Sequence, residues 1–303
     1  MRILLVGQAA FAEKVLERLV ADGHEAVGVV CPPDRGPKPD PVKAAALSRG
    51  IPVHQFPTLR GPTVADAFAA ARADLGILAY VTQIVPEPLL SLPRLGSICF
   101  HPSLLPKYRG GSAIPWQLIR GETITGVSVF WPDAGIDTGP LLVQRSAPVG
   151  ADDTAGSLYY QTLFPLGVDV VVEAVRLIAA GSAAREPQDE TKASYDPLLT
   201  DAHARIDWSA PVARVHDLIR GCDPQPGAHT LAAGSMLRLF EPHRVAGVTG
   251  RPPGTILAID ASGVTIATGD GAVRCARARG GGTKAAAAEV LRALGVTTGA
   301  CLG

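Results

Sequence analysis

Residues 2 to 6, Arg-Ile-Leu-Leu-Val, form a nearly unbroken apolar run that ends at Gly7. From residue 10 to residue 21 the apolar side chains Phe11, Val15, Leu16 and Leu19 then recur at helical spacing. Gly23 closes that helix, and residues 25 to 30, Glu-Ala-Val-Gly-Val-Val, read as a second strand. Strands without alternation are buried on both faces, which a parallel sheet covered by helices provides. Strand, helix and strand in this order make the crossover unit of a doubly wound, mostly parallel α/β sheet. The corner at Gly7 is not a dinucleotide fingerprint. Gly7-Gln8-Ala9-Ala10-Phe11-Ala12 lacks the second and third glycines that let a pyrophosphate reach the helix N-terminus, so no nicotinamide cofactor is expected.

The same pattern continues along the chain. A proline-rich loop over residues 32 to 41 precedes a short helix at 42 to 47, a brief strand at 51 to 54 and a helix at 64 to 73. Residues 75 to 80, Leu-Gly-Ile-Leu-Ala-Tyr, read as the next buried strand. The loop 81 to 86 lies at its carboxyl end, where open α/β sheets bind ligands. A helical turn at 89 to 92 leads into the strand ending at His101. Helical spacing follows at 112 to 119, strands at 123 to 131 and 140 to 145, and a long helix from about 153 to 180 that Pro165 interrupts. Between 183 and 200 the pattern dissolves into Pro, Gln, Asp, Glu and Lys, as in a linker. A helix at 210 to 221, short strands at 255 to 259, 263 to 267 and 272 to 276, and a final helix at 284 to 294 form a second unit. The expected organisation is an α/β catalytic domain over 1–182, a linker over 183–204 and a small barrel-like, oligonucleotide-binding-fold-like domain over 205–303. Its strands carry no aromatic side chains on which bases would stack.

Lys plus Arg equals Asp plus Glu at 28 each, so nothing in the overall charge attracts nucleic acid. Apolar residues at 47% and charged residues at 18% describe a compact chain. No apolar run is long enough to span a membrane, and the N-terminal run is too short for a signal segment, so a cytoplasmic location is expected. The cysteines, Cys31, Cys99, Cys222, Cys275 and Cys301, are dispersed, with no metal-ligand spacing; neither disulfides nor a metal is expected. No feature of the sequence speaks to oligomeric state.

Chemistry concentrates in two stretches. In Ser97-Ile98-Cys99-Phe100-His101-Pro102-Ser103-Leu104-Leu105-Pro106-Lys107-Tyr108-Arg109-Gly110-Gly111, a buried strand stops at a histidine followed by proline. In Asp133-Ala134-Gly135-Ile136-Asp137-Thr138-Gly139, a Gly-rich acidic turn follows a second apolar run and places Asp137 on a loop. Together they offer an imidazole and a carboxylate on neighbouring strand ends. Taken alone, a histidine before proline is more often a satisfied structural residue than a catalyst, and the second stretch also reads as a tight turn.

The two stretches resemble the formyltetrahydrofolate-dependent formyltransferase family, whose signature is Asn-x-His-Pro-Ser-Leu-Leu-Pro followed by an acidic loop ending in Asp-Thr-Gly. The resemblance implies that His101 and Asp137 are catalytic and that 10-formyltetrahydrofolate is the formyl donor. It puts the pterin ring in a pocket that includes Tyr80, Val81 and Gln83, and extends the folate site to Ser103, Leu104, Thr138 and Gly139. Arg109 holds a folate carboxylate or faces solvent. The family's Asn is replaced by Cys99, either a packing residue or a thiolate that takes the formyl group transiently. Members similar to the N-terminal hydrolase domain of 10-formyltetrahydrofolate dehydrogenase also lack this Asn. Methionyl-tRNA formyltransferase is similar too, but carries a long basic insertion where this chain has a short loop with Arg35 and Lys38 offset by Asp34 and Asp40. The implied acceptor is water or a small amine, tRNA being disfavoured by that loop. The alternatives are a methionyl-tRNA formyltransferase and a noncatalytic folate-binding module.

Overall fold

The structure, a computed structural model, describes residues 1–247 and 250–303. The chain forms two units: residues 1–111, 126–147 and 162–195 make the first, and residues 112–125, 148–161 and 196–303 the second. In chain order the first strands are β1 (Arg2–Gly7), β2 (Glu25–Cys31), β3 (Val53–Gln55), β4 (Leu75–Ala79), β5 (Ser97–His101), β6 (Ile124–Phe130) and β7 (Leu141–Pro148). The helices are α1 (Ala9–Ala21), α2 (Pro41–Leu47), α3 (Pro62–Ala71), α4 (Glu87–Leu90), α5 (Ala113–Ile119), the turn α6 (Ala155–Ser157) and α7 (Phe164–Ala179).

The seven strands form one sheet in the order β3-β2-β1-β4-β5-β6-β7. Pairing is parallel from β3 through β5 and antiparallel between β5 and β6. The order reverses between β1 and β4, which opens a crevice at their carboxyl ends. Phe11, Ala12, Val15, Leu16 and Leu19 form the buried stripe of α1, as the periodicity predicts. Gly7 is required at the β1–α1 corner because a Cβ there would collide with the Ala79 carbonyl and lie 2.9 Å from Ala12 Cβ. Phe100 packs on Phe11, ring centroids 4.3 Å apart, and on Gly167 of α7. The pleat turns its neighbours Cys99 and His101 to the opposite face. There Cys99 packs at the margin of an apolar cluster that includes Val6, Val30, Leu59, Phe68 and Leu78. The helix interrupted at Pro165 is a π-helical turn, Leu158–Leu163, with Pro165 in the first turn of α7.

The second unit contains α8 (Val212–Gly221), α9 (Ala287–Ala293) and the strands β8 (Ala228–Ala232), β9 (Ser235–Val245), β10 (Ile256–Asp260), β11 (Gly263–Ala267), β12 (Ala272–Arg279) and β13 (Ala285–Ala286). Its sheet runs β10-β11-β12-β9-β8 with β13 on β12, and every described pairing is antiparallel. The β8–β9 hairpin is absent from the sequence reading, yet β9 is the longest strand. Its turn is Ala233-Gly234, φ +49° and +77°, the two left-handed residues of a tight hairpin. The final helix is shorter than its pattern because Ala285 and Ala286 pair with β12. Residues 112–125 belong to this unit, with Ile119 in its core beside Val215, Ile219, Leu237 and Leu239.

A buried polar chain ties this unit together. His216, fully buried, sets Nε2 3.1 Å from Asp152 Oδ1 and Nδ1 3.4 Å from Asp217 Oδ1. Asp217 also accepts from Arg220 Nε at 2.8 Å and an Arg244 guanidinium nitrogen at 3.2 Å, and Asp152 Oδ2 lies 3.0 Å from His243 Nδ1. Burial pushes the Asp217 carboxyl up, but His216 and the two guanidiniums outweigh it and hold the group below its ordinary range. A depressed carboxyl contributes stability above its unfolded pKa and loses that contribution as the pH falls through its folded one. Asp217→Asn should therefore cost about 3 kcal/mol at neutral pH, the scale of breaking a buried ion pair. The deficit should shrink below about pH 4. Thermal melts of both proteins at pH 7 and pH 3 check this, and an equal offset at both would count against it.

Candidate active site

His101 closes β5, whose register sets Cys99 against Leu78 of β4 and His101 against Ser128 of β6. The Ser128 hydroxyl donates to the Ser103 carbonyl at 2.6 Å and accepts from Leu105 N at 3.1 Å and Gln144 Nε2 at 2.8 Å. The Ser103 hydroxyl donates to the Lys107 carbonyl at 2.6 Å. These bonds fold the segment after β5 back on itself, so that the Tyr108 carbonyl lies 2.7 Å from His101 Nε2. A carbonyl only accepts, so Nε2 carries a proton and donates. The other ring nitrogen, Nδ1, lies 3.4 Å from Asp137 Oδ2, with His101 buried and the Asp137 side chain 17% exposed. A bare nitrogen facing a carboxylate is repulsive; the contact is favourable only with a proton between the two atoms. At 3.4 Å the pair is looser than a charge-assisted bond of about 2.8 Å.

Asp137 sits on the turn between β6 and β7 in a left-handed conformation, φ +56°, costly for a residue with a Cβ. Three contacts hold it. Gly110 N donates to its Oδ2 at 2.8 Å, and Gln188 Nε2 donates to the carbonyls of Asp137 and Gly139 at 2.8 and 2.7 Å. Thr138 donates to Asp133 Oδ1 at 2.5 Å, and Gly139 passes so close to the Trp131 carbonyl that a Cβ there would collide with it. Both are thus committed to shaping the turn.

Cys99 is half-buried, its thiol directed at the Phe100 carbonyl at 3.6 Å. Burial, with the Asp137 carboxylate adding to it, pushes the thiol well above its ordinary range. These surroundings keep Cys99 a neutral thiol and give no support to a thiolate nucleophile.

A small cavity opens at the crevice between the ends of β1 and β4. Val6, Gly7, Val30, Phe56, Leu59 and Tyr80 to Gln83 are among the residues that line it. Tyr80 is not a core side chain: it is 47% exposed, at φ +61°. Gln83 accepts from Leu59 N at 3.1 Å and donates to the Pro57 carbonyl at 3.3 Å, so it fixes the cavity wall. Among the described residues, the lining does not include His101, Ser103, Leu104, Arg109, Asp137, Thr138 or Gly139. Leu104 packs where a Cβ on Gly126 would stand, 2.5 Å from its Cδ2.

Arg109 corrects the sequence reading most sharply. It is 1% exposed rather than solvated, and all five of its N–H donors are engaged within the chain. Nε and one terminal nitrogen donate to Gln188 Oε1 at 3.2 and 2.8 Å, the two terminal nitrogens to Glu190 at 2.9 and 2.6 Å, and one of them to the Tyr195 hydroxyl at 2.7 Å. No donor is left for a ligand carboxylate. Ser194 completes the clamp, its hydroxyl accepting from Tyr108 N at 2.8 Å and its carbonyl from Arg109 N at 2.9 Å. Gln188, Glu190, Ser194 and Tyr195 escape sequence reasoning because they lie in an aperiodic polar stretch, and no local signal marks them.

The formyl transferase family model matches residues 1–175, and that of the formyl transferase C-terminal domain matches residues 198–294. Mitochondrial 10-formyltetrahydrofolate dehydrogenase from Mus musculus is 44% identical over 245 residues, 79% of this chain. The chain spans only about a quarter of that relative, 26% of its length. Methionyl-tRNA formyltransferase from Roseiflexus sp. (strain RS-1) is 40% identical over 279 residues, 89% of this chain and 85% of the relative. HypX from Aquifex aeolicus, solved in complex with tetrahydrofolic acid, shares the fold with a TM-score of 0.71 at 23% identity, over 96% of this chain and 47% of its own. Matched by the family model over more than half its length, this chain belongs to the formyl transferase family.

Proposed function

We propose that the chain moves the formyl group of 10-formyltetrahydrofolate to water or to a small amine and releases tetrahydrofolate. The observation that supports this most is the His101–Asp137 pair, Nδ1 3.4 Å from Oδ2, at the end of β5. In the proposed reaction the nucleophile attacks the formyl carbon and the carbonyl electrons move to oxygen. Nδ1–H donates to that oxyanion, since Nε2 is committed to Tyr108. Asp137 takes the proton from the attacking water or amine and returns it to the folate nitrogen as the carbon–nitrogen bond breaks. The products are formate or a formamide together with tetrahydrofolate, and no other reactant is needed. Tyr80, Val81 and Gln83, all on the cavity wall, are proposed to receive the pterin ring. Ser103, Leu104, Thr138 and Gly139 are proposed to shape the site, and Cys99 to pack beneath it.

Two observations favour a small or neutral acceptor. The N-terminus of α1, a natural anion site, is already occupied by Asp40, whose two oxygens each lie 3.0 Å from Ala9 N. In the loop of residues 32 to 41, Asp34 pairs with Lys43 and accepts from Asp40 N, so the acids there are part of the fold. A tRNA acceptor is the second reading. It is favoured by the Roseiflexus relative, whose likeness runs over most of both chains.

The deciding assay follows tetrahydrofolate release from 10-formyltetrahydrofolate in buffer alone, then with a panel of amines, then with charged initiator tRNA. Release in buffer or with one small amine supports the proposal. Release only with tRNA selects the second reading, and folate binding with no release under any condition marks a binding module. His101→Ala and Asp137→Asn should each lower kcat by at least ~10²-fold, the scale of an oxyanion donor or acid–base group; near-full activity of both would falsify the assignment. Cys99→Ala should keep kcat within about threefold, and the unsubstituted protein should show no formyl adduct on Cys99 in rapid-quench mass spectrometry, because a thiol held neutral is a poor nucleophile.

A further inference from the structure

The proposed chemistry needs Asp137 at a fixed distance from His101, yet few contacts reach its carboxylate. Gly110 N donates to Oδ2, and what fixes the backbone on which the carboxylate is mounted is the side chain of Gln188. We infer that Gln188, held from behind by Arg109, is the positioning residue that sets Asp137 against His101; the inference rests on the acid–base role proposed above.

The Gln188 amide is used completely. Its nitrogen donates to the carbonyls on either side of Thr138, those of Asp137 and Gly139. Its oxygen accepts twice from Arg109, at 3.2 and 2.8 Å. Rotating the amide by half a turn would set its oxygen against two carbonyls and its nitrogen against a guanidinium, so only one orientation is tolerated. Arg109 cannot yield either, since its side chain is fully buried and its remaining donors are taken by Glu190 and Tyr195. A rigid line of hydrogen bonds therefore runs from Glu190 and Tyr195 through Arg109 and Gln188 into the turn.

That turn needs holding. A residue with a Cβ at φ +56° persists only where its surroundings over-determine it. The same arginine governs the other side of the pair, for its neighbours Tyr108 and Gly110 supply the carbonyl that accepts from His101 and the N–H that donates to Asp137. One buried guanidinium thus registers both partners. Removing the two donors of Gln188 while keeping its acceptor for Arg109, as Gln188→Glu does, releases the Asp137 side of that register while leaving the His101 side held.

The test compares Gln188→Ala, Gln188→Glu, Asp137→Asn and Asp137→Asn/Gln188→Ala in the full chain. It follows tetrahydrofolate release from 10-formyltetrahydrofolate with water or with whichever acceptor the unsubstituted protein uses. Misplacing a catalytic group by a fraction of an ångström to an ångström costs about 10- to 100-fold, so Gln188→Ala should lower kcat on that scale while KM for the folate moves less than about threefold. Gln188→Glu keeps an acceptor for Arg109 but sets a carboxylate against two carbonyls, and should be impaired at least as much. In the Asp137→Asn background, Gln188→Ala should change kcat by less than about twofold, because the group it positions is already disabled. Full activity of Gln188→Glu, or multiplicative losses in the double variant, overturns the inference while the acid–base reading stands. Full activity of Asp137→Asn overturns the reading itself and the inference with it.

Discussion

A guanidinium with 1% exposure has to be matched donor for donor, and Arg109 imposes that condition on the first unit. Gln188, Glu190 and Tyr195 meet it, and in doing so they bring an aperiodic polar segment against the loop that follows β5. The Glu190 carboxyl, chiefly through its hydrogen bond with Arg109, is held below its ordinary range and so stays ionised opposite the cation. Tyr108 and Gly110, on either side of the arginine, contact His101 and Asp137 through a carbonyl and an N–H. Through Tyr108, Gly110 and Gln188 the hydrogen bonds around this buried ion reach both members of the His101–Asp137 pair.

The sheet supplies the second constraint. Its order reverses between β1 and β4, so the carboxyl ends of those strands diverge into a crevice, with β5 and His101 one strand further along. The crevice is walled mostly by aliphatic and aromatic side chains, with Gln8, Thr82 and Gln83 as its polar members, and an apolar wall strengthens the hydrogen bonds made beside it. Asp40 fills the corner where the first helix begins and also caps α2 through Val42 N at 3.0 Å. A single carboxylate thus satisfies two helix starts, and a position that many α/β proteins leave open to phosphate is closed.

Much of this was legible in the residues. Unalternating apolar runs mark β1, β4 and β5, and a stripe at 3.6-residue spacing marks α1, because burial on both faces or on one leaves those periods in a sequence. The His-Pro step and the Gly-rich acidic turn mark His101 and Asp137 as strand-end residues. Other features were hidden. The β8–β9 hairpin was missed because its turn, Ala233-Gly234, lacks the Asn or Asp that usually signals two left-handed residues. Cys99 read as either thiolate or packing atom because a thiol's state depends on what surrounds it, here apolar side chains and a carboxylate.

By itself the sequence determined the segment-level properties: which stretches are strands or helices, which faces are buried, and that an imidazole and a carboxylate end neighbouring strands. These follow from local periodicity and turn chemistry, which act over a few residues. Only the tertiary structure decided that Arg109 is buried, that the polar run around Gln188 packs against the turn carrying Asp137, and that the Tyr108 carbonyl takes up Nε2 of His101. The first two depend on partners far away in the chain, Arg109 and Gln188 being 79 positions apart, and the third on how the segment after β5 folds back. A polar side chain carries no mark of whether water or a distant residue will satisfy it. That is settled when the chain closes on itself and every buried donor has to find an acceptor.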